Sequence, residues 1–197
     1  MIAYLEELDR NIVVAVNGLH NPVLDELMWY TSKIPVWFPL YLLLFVLVYK
    51  KYKLKNFLIY LGTFALLILL CDQISSTLFK PLVARWRPSH NLLLTDQLHF
   101  YEMRPGEFYR GGKFSFISGH ATNSFGIAML SSLVLKPYFK NIMKWMLFWA
   151  TLVSFSRIYL GVHYLSDIAA GALVGSGVAY LLYKYLFQRF IHPVEEL

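Results

Sequence analysis

The chain has 197 residues, of which 57% are hydrophobic and only 15% charged, and its mean hydropathy is +0.49. A soluble domain of this length carries about a quarter charged residues, so lipid rather than a larger core is expected to solvate much of the surface. The net charge of +6 would suit nucleic acid, but the placement of the cations points instead to membrane orientation and phosphate, with no nucleic-acid partner.

Residues 1–20 place Glu6, Glu7 and Asp9 where a cleaved signal peptide needs a basic stretch and an apolar core. Leu5, Leu8, Ile12, Val16 and Leu19 recur at helical spacing. They predict an amphipathic helix on the membrane surface or, alternatively, one packed against the membrane bundle. Asn21-Pro22 offers a cap and a first-turn proline for the next helix. That helix turns strongly apolar from Ile34 to Tyr49, a rise of about 24 Å. The half-polar turns from Leu24 to Lys33 complete a first span, with Trp29 and Tyr30 at the interface and a kink expected at Pro35 and Pro39.

K-K-Y-K-L-K at 50–55 reads as a short basic loop, and a second span runs from Asn56 to about Phe79. It contains the single cysteine, Cys71, so no internal disulfide is possible. It also carries Asp72 roughly 10 Å from its end. A carboxylate at that depth suggests function, or equally a structural partner for a basic side chain above it. Asp72 therefore stays outside the core site.

Residues 80–117 are the one long polar segment, with Lys80, Arg85, Arg87, Arg104, Arg110 and Lys113 among aromatics such as Trp86, Phe108 and Tyr109. Its prolines and Gly111-Gly112 argue against a continuous helix and for a partly ordered lid. Three apolar runs follow, at about 121–135, 143–159 and 165–187. The last contains Gly171-x-x-x-Gly175 with Ala169, Ala170, Ala172 and Ser176, which permits close helix contact. The expected fold is therefore an all-α integral-membrane bundle of about five transmembrane helices plus an N-terminal amphipathic surface helix. Residues 1–20 form the interfacial helix, and 21–190 form one domain with an outer loop at 80–117.

Five spans put Lys50, Lys51, Lys53, Lys55, Lys136, Lys140, Lys144, Lys184 and Arg189 on one side, cytoplasmic by the positive-inside rule. The 80–117 loop and the 161–163 turn then share the outer side. Three clusters meet there: Lys80 with Arg87-Pro88, Ser118-Gly119-His120, and Arg157 with His163 and Asp167. His163 and Asp167, four residues apart, would share a helix face, and the carboxylate can orient the imidazole. A single such stretch is as often an ordinary ion pair, and lone cations at membrane ends are mostly snorkelling anchors. His20, His90, His99 and His192 read as interface residues. Two histidines, three cations and helix-start N–H groups on one face make a phosphoryl site.

These clusters resemble the signature of the type 2 phosphatidic acid phosphatase and vanadium haloperoxidase superfamily, Lys-x6-Arg-Pro, Pro-Ser-Gly-His and Ser-Arg-x5-His-x3-Asp. Here they read K-P-L-V-A-R-W-R-P at 80–88, I-S-G-H at 117–120 and S-R-I-Y-L-G-V-H-Y-L-S-D at 156–167, with Ile117 in place of the proline. The resemblance implies that Lys80, Arg87 and Arg157 bind phosphate oxygens, with Ser118 and the Gly119 N–H completing the cradle. His163 would attack phosphorus to give a phosphohistidine, Asp167 would orient it, and His120 would protonate the leaving oxygen and then activate water.

Asp96, Glu102 and Glu107 are scattered, so no cofactor and no metal are expected. The implied enzyme is a multi-pass lipid phosphatase of the bacterial inner (cytoplasmic) membrane, its site facing the periplasm or exterior and its partner a phosphorylated membrane lipid. The extra cations Arg85, Arg104, Arg110 and Lys113 suit a multiply charged headgroup and favour an undecaprenyl-diphosphate phosphatase. The alternatives are a lipid A phosphatase or a phosphatidylglycerophosphate or phosphatidic acid phosphatase. From a different class comes a non-catalytic phospholipid-binding or transport protein, against which the imidazole pair argues. A haloperoxidase would not require a membrane.

Overall fold

A computed structural model describes residues 2–191; His192 and the rest of the tail lie outside the described residues. The chain is mostly helical. In order it forms α1 (Ile2–Asn17), α2 (Pro22–Thr31), a 3₁₀ turn (Ile34–Trp37), α3 (Phe38–Asp72), a π-helical segment (Gln73–Phe79) and α4 (Lys80–Val83). A loop with a small hairpin, β1 (Glu102–Arg104) and β2 (Glu107–Phe108), leads to α5 (Gly119–Leu135), α6 (Ile142–Tyr159), α7 (Leu165–Leu182) and a short end segment. Among the described residues, two continuous helical stretches are long and apolar enough to cross a bilayer, Ile34–Val83 and Leu165–Phe190.

The periodicity of α1 is helical as expected, but the helix seats its polar line. Asp9, Val13 and Asn17 are buried, whereas Leu5 and Leu8 are 53% and 43% exposed. Asn17 explains part of this: its Nδ2 donates to the carbonyls of His99 and Tyr159 at 2.8 and 2.7 Å. The helix is thus docked on the rest of the molecule by satisfied polar groups.

Asn21 caps α2 as expected, its Oδ1 accepting from the N–H groups of Val23 and Leu24. The helix does not, however, run on through a kink. It stops at Thr31, because Pro35 has no N–H and its ring would meet the Thr31 carbonyl. That carbonyl instead accepts from Trp37 Nε1 at 2.9 Å. The basic 50–55 loop contracts to one residue, Lys53, with φ 59° and ψ 179°, which breaks α3 in two. Helix also continues through Lys80 to Val83, so the polar loop begins at Ala84, a left-handed residue.

The 84–118 loop is folded rather than loose. Ser115 N donates to Arg85 O and Arg87 N to Lys113 O, at 2.8 and 3.2 Å. Leu94, Leu98 and Phe100 pack with Val13, Tyr164 and Ile168. α5 is the central helix, touching α3, α6 and α7. Its contact with α7 is backbone on backbone. A Cβ on Gly175 would stand 2.0 Å from the Thr122 carbonyl oxygen, and one on Gly171 would stand 2.8 Å from that of Ser118. The small-residue pattern therefore brings the N-termini of α5 and α7 together, where Ser118 N donates to Asp167 O at 3.1 Å.

Candidate active site

Two local devices aim the chemistry. Gly161 turns the chain after α6 with φ +67°, a region that favours glycine. The Arg157 carbonyl then accepts from Val162 N and His163 N at 3.1 and 3.2 Å. His163 consequently lies in the turn before α7, not on a helix face with Asp167. The pair still meets, because Asp167 at the third position of α7 reaches back. Its Oδ2 accepts from Tyr164 N at 2.9 Å and stands 3.3 Å from His163 Nδ1.

The tautomer follows from the partners. A carboxylate only accepts, so Nδ1 of neutral His163 carries the proton toward Asp167. A guanidinium only donates, so Arg87 Nη1, 3.1 Å from Nε2, meets a lone pair there. Burial, then Arg87, Arg157 and Lys80, hold the His163 pKa well below its usual value. The ring is therefore neutral, with Nε2 carrying the lone pair.

Lys80, Arg87, Gly119, His120, Arg157 and His163 line one cavity of about 420 Å³. Among the described residues none of the three cations makes an ion pair. Lys80 Nζ donates to Ser76 Oγ at 3.3 Å, and Arg87 donates to the carbonyls of Val162 and Phe114. Burial first, then Arg157, push the Arg87 pKa down to about 10. Arg157 Nη2 donates to Tyr109 Oη at 2.6 Å, while its Nε is buried with no partner. Three cations without a direct ion pair, and an unused buried donor among them, form a site able to take an anion. Across the cavity His120 Nε2 donates to Ser32 O at 3.2 Å, and among the described residues no hydrogen bond engages its Nδ1.

Ser118 and Asp167 stand behind this wall. Ser118 caps α5, its Oγ accepting from Ala121 N at 3.4 Å. Ile117, in the position of the family proline, is fully buried. The extra cations are not in the cavity. Arg85 pairs with Asp167 and Asp9. Arg110 bonds Thr95 and lies over Phe100, and Lys113 lies over Trp86. Arg104 sits on the exposed hairpin. The loop's cations thus serve its own fold, which removes the headgroup argument built on them. Sequence reasoning missed Asp9, Ser32 and Tyr109 as neighbours of the site, since their partners lie far along the chain. Among the described residues no group of three or more His, Cys, Asp or Glu side chains is placed to hold a metal ion.

The PAP2 superfamily model matches residues 56–191. A lipid A 4'-phosphatase of Porphyromonas gingivalis is 39% identical over 188 residues, covering 94% of this chain and 76% of its own. A second lipid A 4'-phosphatase, from Bacteroides thetaiotaomicron, is 34% identical over 185 residues, covering 93% and 79%. Among solved structures, the fold resembles that of a transmembrane PAP2-type phosphatidylglycerolphosphate phosphatase from Bacillus subtilis. Its TM-score is 0.67 at 23% identity, over 95% of this chain and 88% of that one. Aquifex aeolicus LpxE gives 0.61 at 26%, over 90% and 96%. The chain belongs to the PAP2 superfamily. Within it, this protein is a phosphatase, a hydrolase of phosphate esters.

Proposed function

We propose that the protein is an integral-membrane lipid phosphatase that hydrolyses a phosphate monoester of a lipid A-type glycolipid. The catalytic unit is a bundle of about five spans over residues 21–190. Residues 1–20 form an accessory helix, and the site opens at the outer face of the bacterial inner membrane. The substrate reading rests on the two lipid A 4'-phosphatase relatives. Undecaprenyl diphosphate, favoured by the loop cations alone, has no support from the relatives or the solved structures described above. The observation that carries the mechanism is the convergence of Lys80, Arg87 and Arg157 on the cavity that His163 and His120 line.

In this mechanism the three cations and the Gly119 N–H hold the nonbridging oxygens, with Ser118 fixing the start of α5. Arg87 moves from His163 Nε2 to a phosphate oxygen, freeing the lone pair. A bound phosphate dianion offsets the surrounding cations, so that His120 takes up a proton at Nδ1 while its Nε2–H stays on the Ser32 carbonyl. Nε2 of His163 attacks phosphorus, the bond to the lipid oxygen breaks, and Nδ1 of His120 protonates that oxygen. Asp167 stabilises the positive charge that develops on His163. His120, now neutral, then takes a proton from water, which attacks the phosphohistidine and releases phosphate. Each step balances without a metal ion.

The test is phosphate release by the purified protein in detergent from lipid A, undecaprenyl diphosphate and phosphatidic acid, beside His163→Ala. Turnover of lipid A by the parent, with loss of at least about 10³-fold in the variant, is the expected result. A variant that turns over like the parent overturns the covalent mechanism, and a parent inert on all three lipids overturns the lipid phosphatase reading.

A further inference from the structure

Along the cavity wall the chemistry changes in bands. Lys80, Ser76 and Asp72 are four residues apart in turn and all line the cavity. Lys80 Nζ donates to Ser76 Oγ at 3.3 Å, and Ser76 Oγ donates to Asp72 Oδ1 at 3.4 Å. No other donor reaches the Asp72 carboxylate among the described residues, although the residue is exposed to the space. Across the cavity, Asn123 and Ser124 come one turn after His120, and Asn123 Oδ1 has no partner. Beyond this band the lining is apolar, with Phe64, Ile68 and Ile127.

A ligand whose phosphate sits at Lys80 must therefore pass a band rich in acceptors before its hydrocarbon begins. A carboxylate linked to Lys80 Nζ through the single hydroxyl of Ser76 faces a costly environment if pure hydrocarbon lies against it. Donors carried by the ligand remove that cost. A polyprenyl diphosphate has only hydrocarbon beyond its diphosphate, and the diacylglycerol part of phosphatidic acid has ester acceptors and no donor. A sugar bearing hydroxyl and amide N–H groups has donors at this depth.

We propose that Asp72, supported by Ser76 and Asn123, forms a second subsite that binds hydroxyl or amide donors of the substrate headgroup next to its phosphate. This inference rests on the lipid phosphatase reading and deepens it, since it makes Asp72 a specificity determinant for sugar-borne phosphate.

The experiment compares kcat/KM for lipid A and for phosphatidic acid in the same detergent micelles, in the parent, Asp72→Ala and Asp72→Asn. The expected result is a fall of about 10-fold or more in the lipid A to phosphatidic acid ratio for Asp72→Ala. Asp72→Asn, which keeps one acceptor and the side-chain size, gives a smaller fall and decides the question if the alanine variant does not fold. A ratio unchanged from the parent, with both activities reduced alike, overturns the subsite and makes Asp72 a partner of Lys80. A parent that hydrolyses neither lipid overturns the phosphatase reading itself, a result distinct from an unchanged ratio.

Discussion

Arg85 joins Asp167 to Asp9. One terminal nitrogen donates to Asp167 Oδ1 at 3.0 Å and the other to Asp9 Oδ2 at 2.8 Å. Ser166 completes the knot, its N–H donating to Asp9 Oδ1 at 3.0 Å and its Oγ bonding Asp9 Oδ2. Asp9 belongs to α1, outside the residues matched by the family model. The N-terminal helix therefore reaches the carboxylate that orients His163. Burial works against the Arg85 charge, but Asp167 and Asp9 outweigh it and raise its pKa.

Removing Asp9 leaves Arg85 balanced by Asp167 alone, which weakens the pull of that carboxylate on His163. Asp9→Asn is expected to lower kcat about 10-fold while KM changes by less than about threefold. Asp9→Glu recovers part of the loss. Steady-state kinetics of the two variants, at matched folded fraction, check this. A change confined to KM would make Asp9 a structural anchor only.

His120 has its largest effect where the leaving oxygen is a poor leaving group. His120→Ala is expected to lose about 10²–10⁴-fold on a lipid phosphate. On an activated aryl phosphate the first step loses much less, and phosphohistidine accumulates because water is no longer activated. Acid-quench measurement of the phosphoenzyme during turnover reads this directly.

The depressed His163 pKa sets a pH dependence of stability. Below about pH 6.5 the unfolded chain binds a proton that the folded chain does not, so stability falls as pH drops toward the folded value. Stability is fully present above that range. His163→Asn keeps a donor to Asp167 but cannot titrate. The fall in Tm between pH 7.5 and 5.5, without phosphate, is therefore expected to be smaller in His163→Asn than in the parent.

Gly175 and Gly177 give opposite expectations two residues apart. A Cβ on Gly175 meets the Thr122 carbonyl, whereas one on Gly177 meets nothing within 4 Å. Gly175→Ala is expected to destabilise by about 1–3 kcal/mol and to spread the N-termini of α5 and α7, with loss of activity. Gly177→Ala is neutral or stabilises by up to about 1 kcal/mol through helix propensity. Thermal melts in detergent with parallel activity measurements distinguish the two.

The helical class and the small-residue contact at Gly171 and Gly175 follow from the sequence alone, because they depend on periodicity and short spacing, whereas the residues of the cavity were named through the resemblance of three short clusters to a known signature. Lys80, Arg87, His120, Arg157 and His163 were legible through that resemblance, and all five line one cavity. The sequence did not reveal that Pro35 ends a helix at Thr31, placing the Ser32 carbonyl on His120, or that α1 docks through Asp9 and Asn17. Nor did it separate Arg85, Arg110 and Lys113, which serve the protein's own carboxylates, carbonyls and aromatic rings, from the cations that make no direct ion pair. Those distinctions were decided only by tertiary structure. A charge acquires its role from the partner folded against it, and here Asp9 meets Arg85 from 76 residues away.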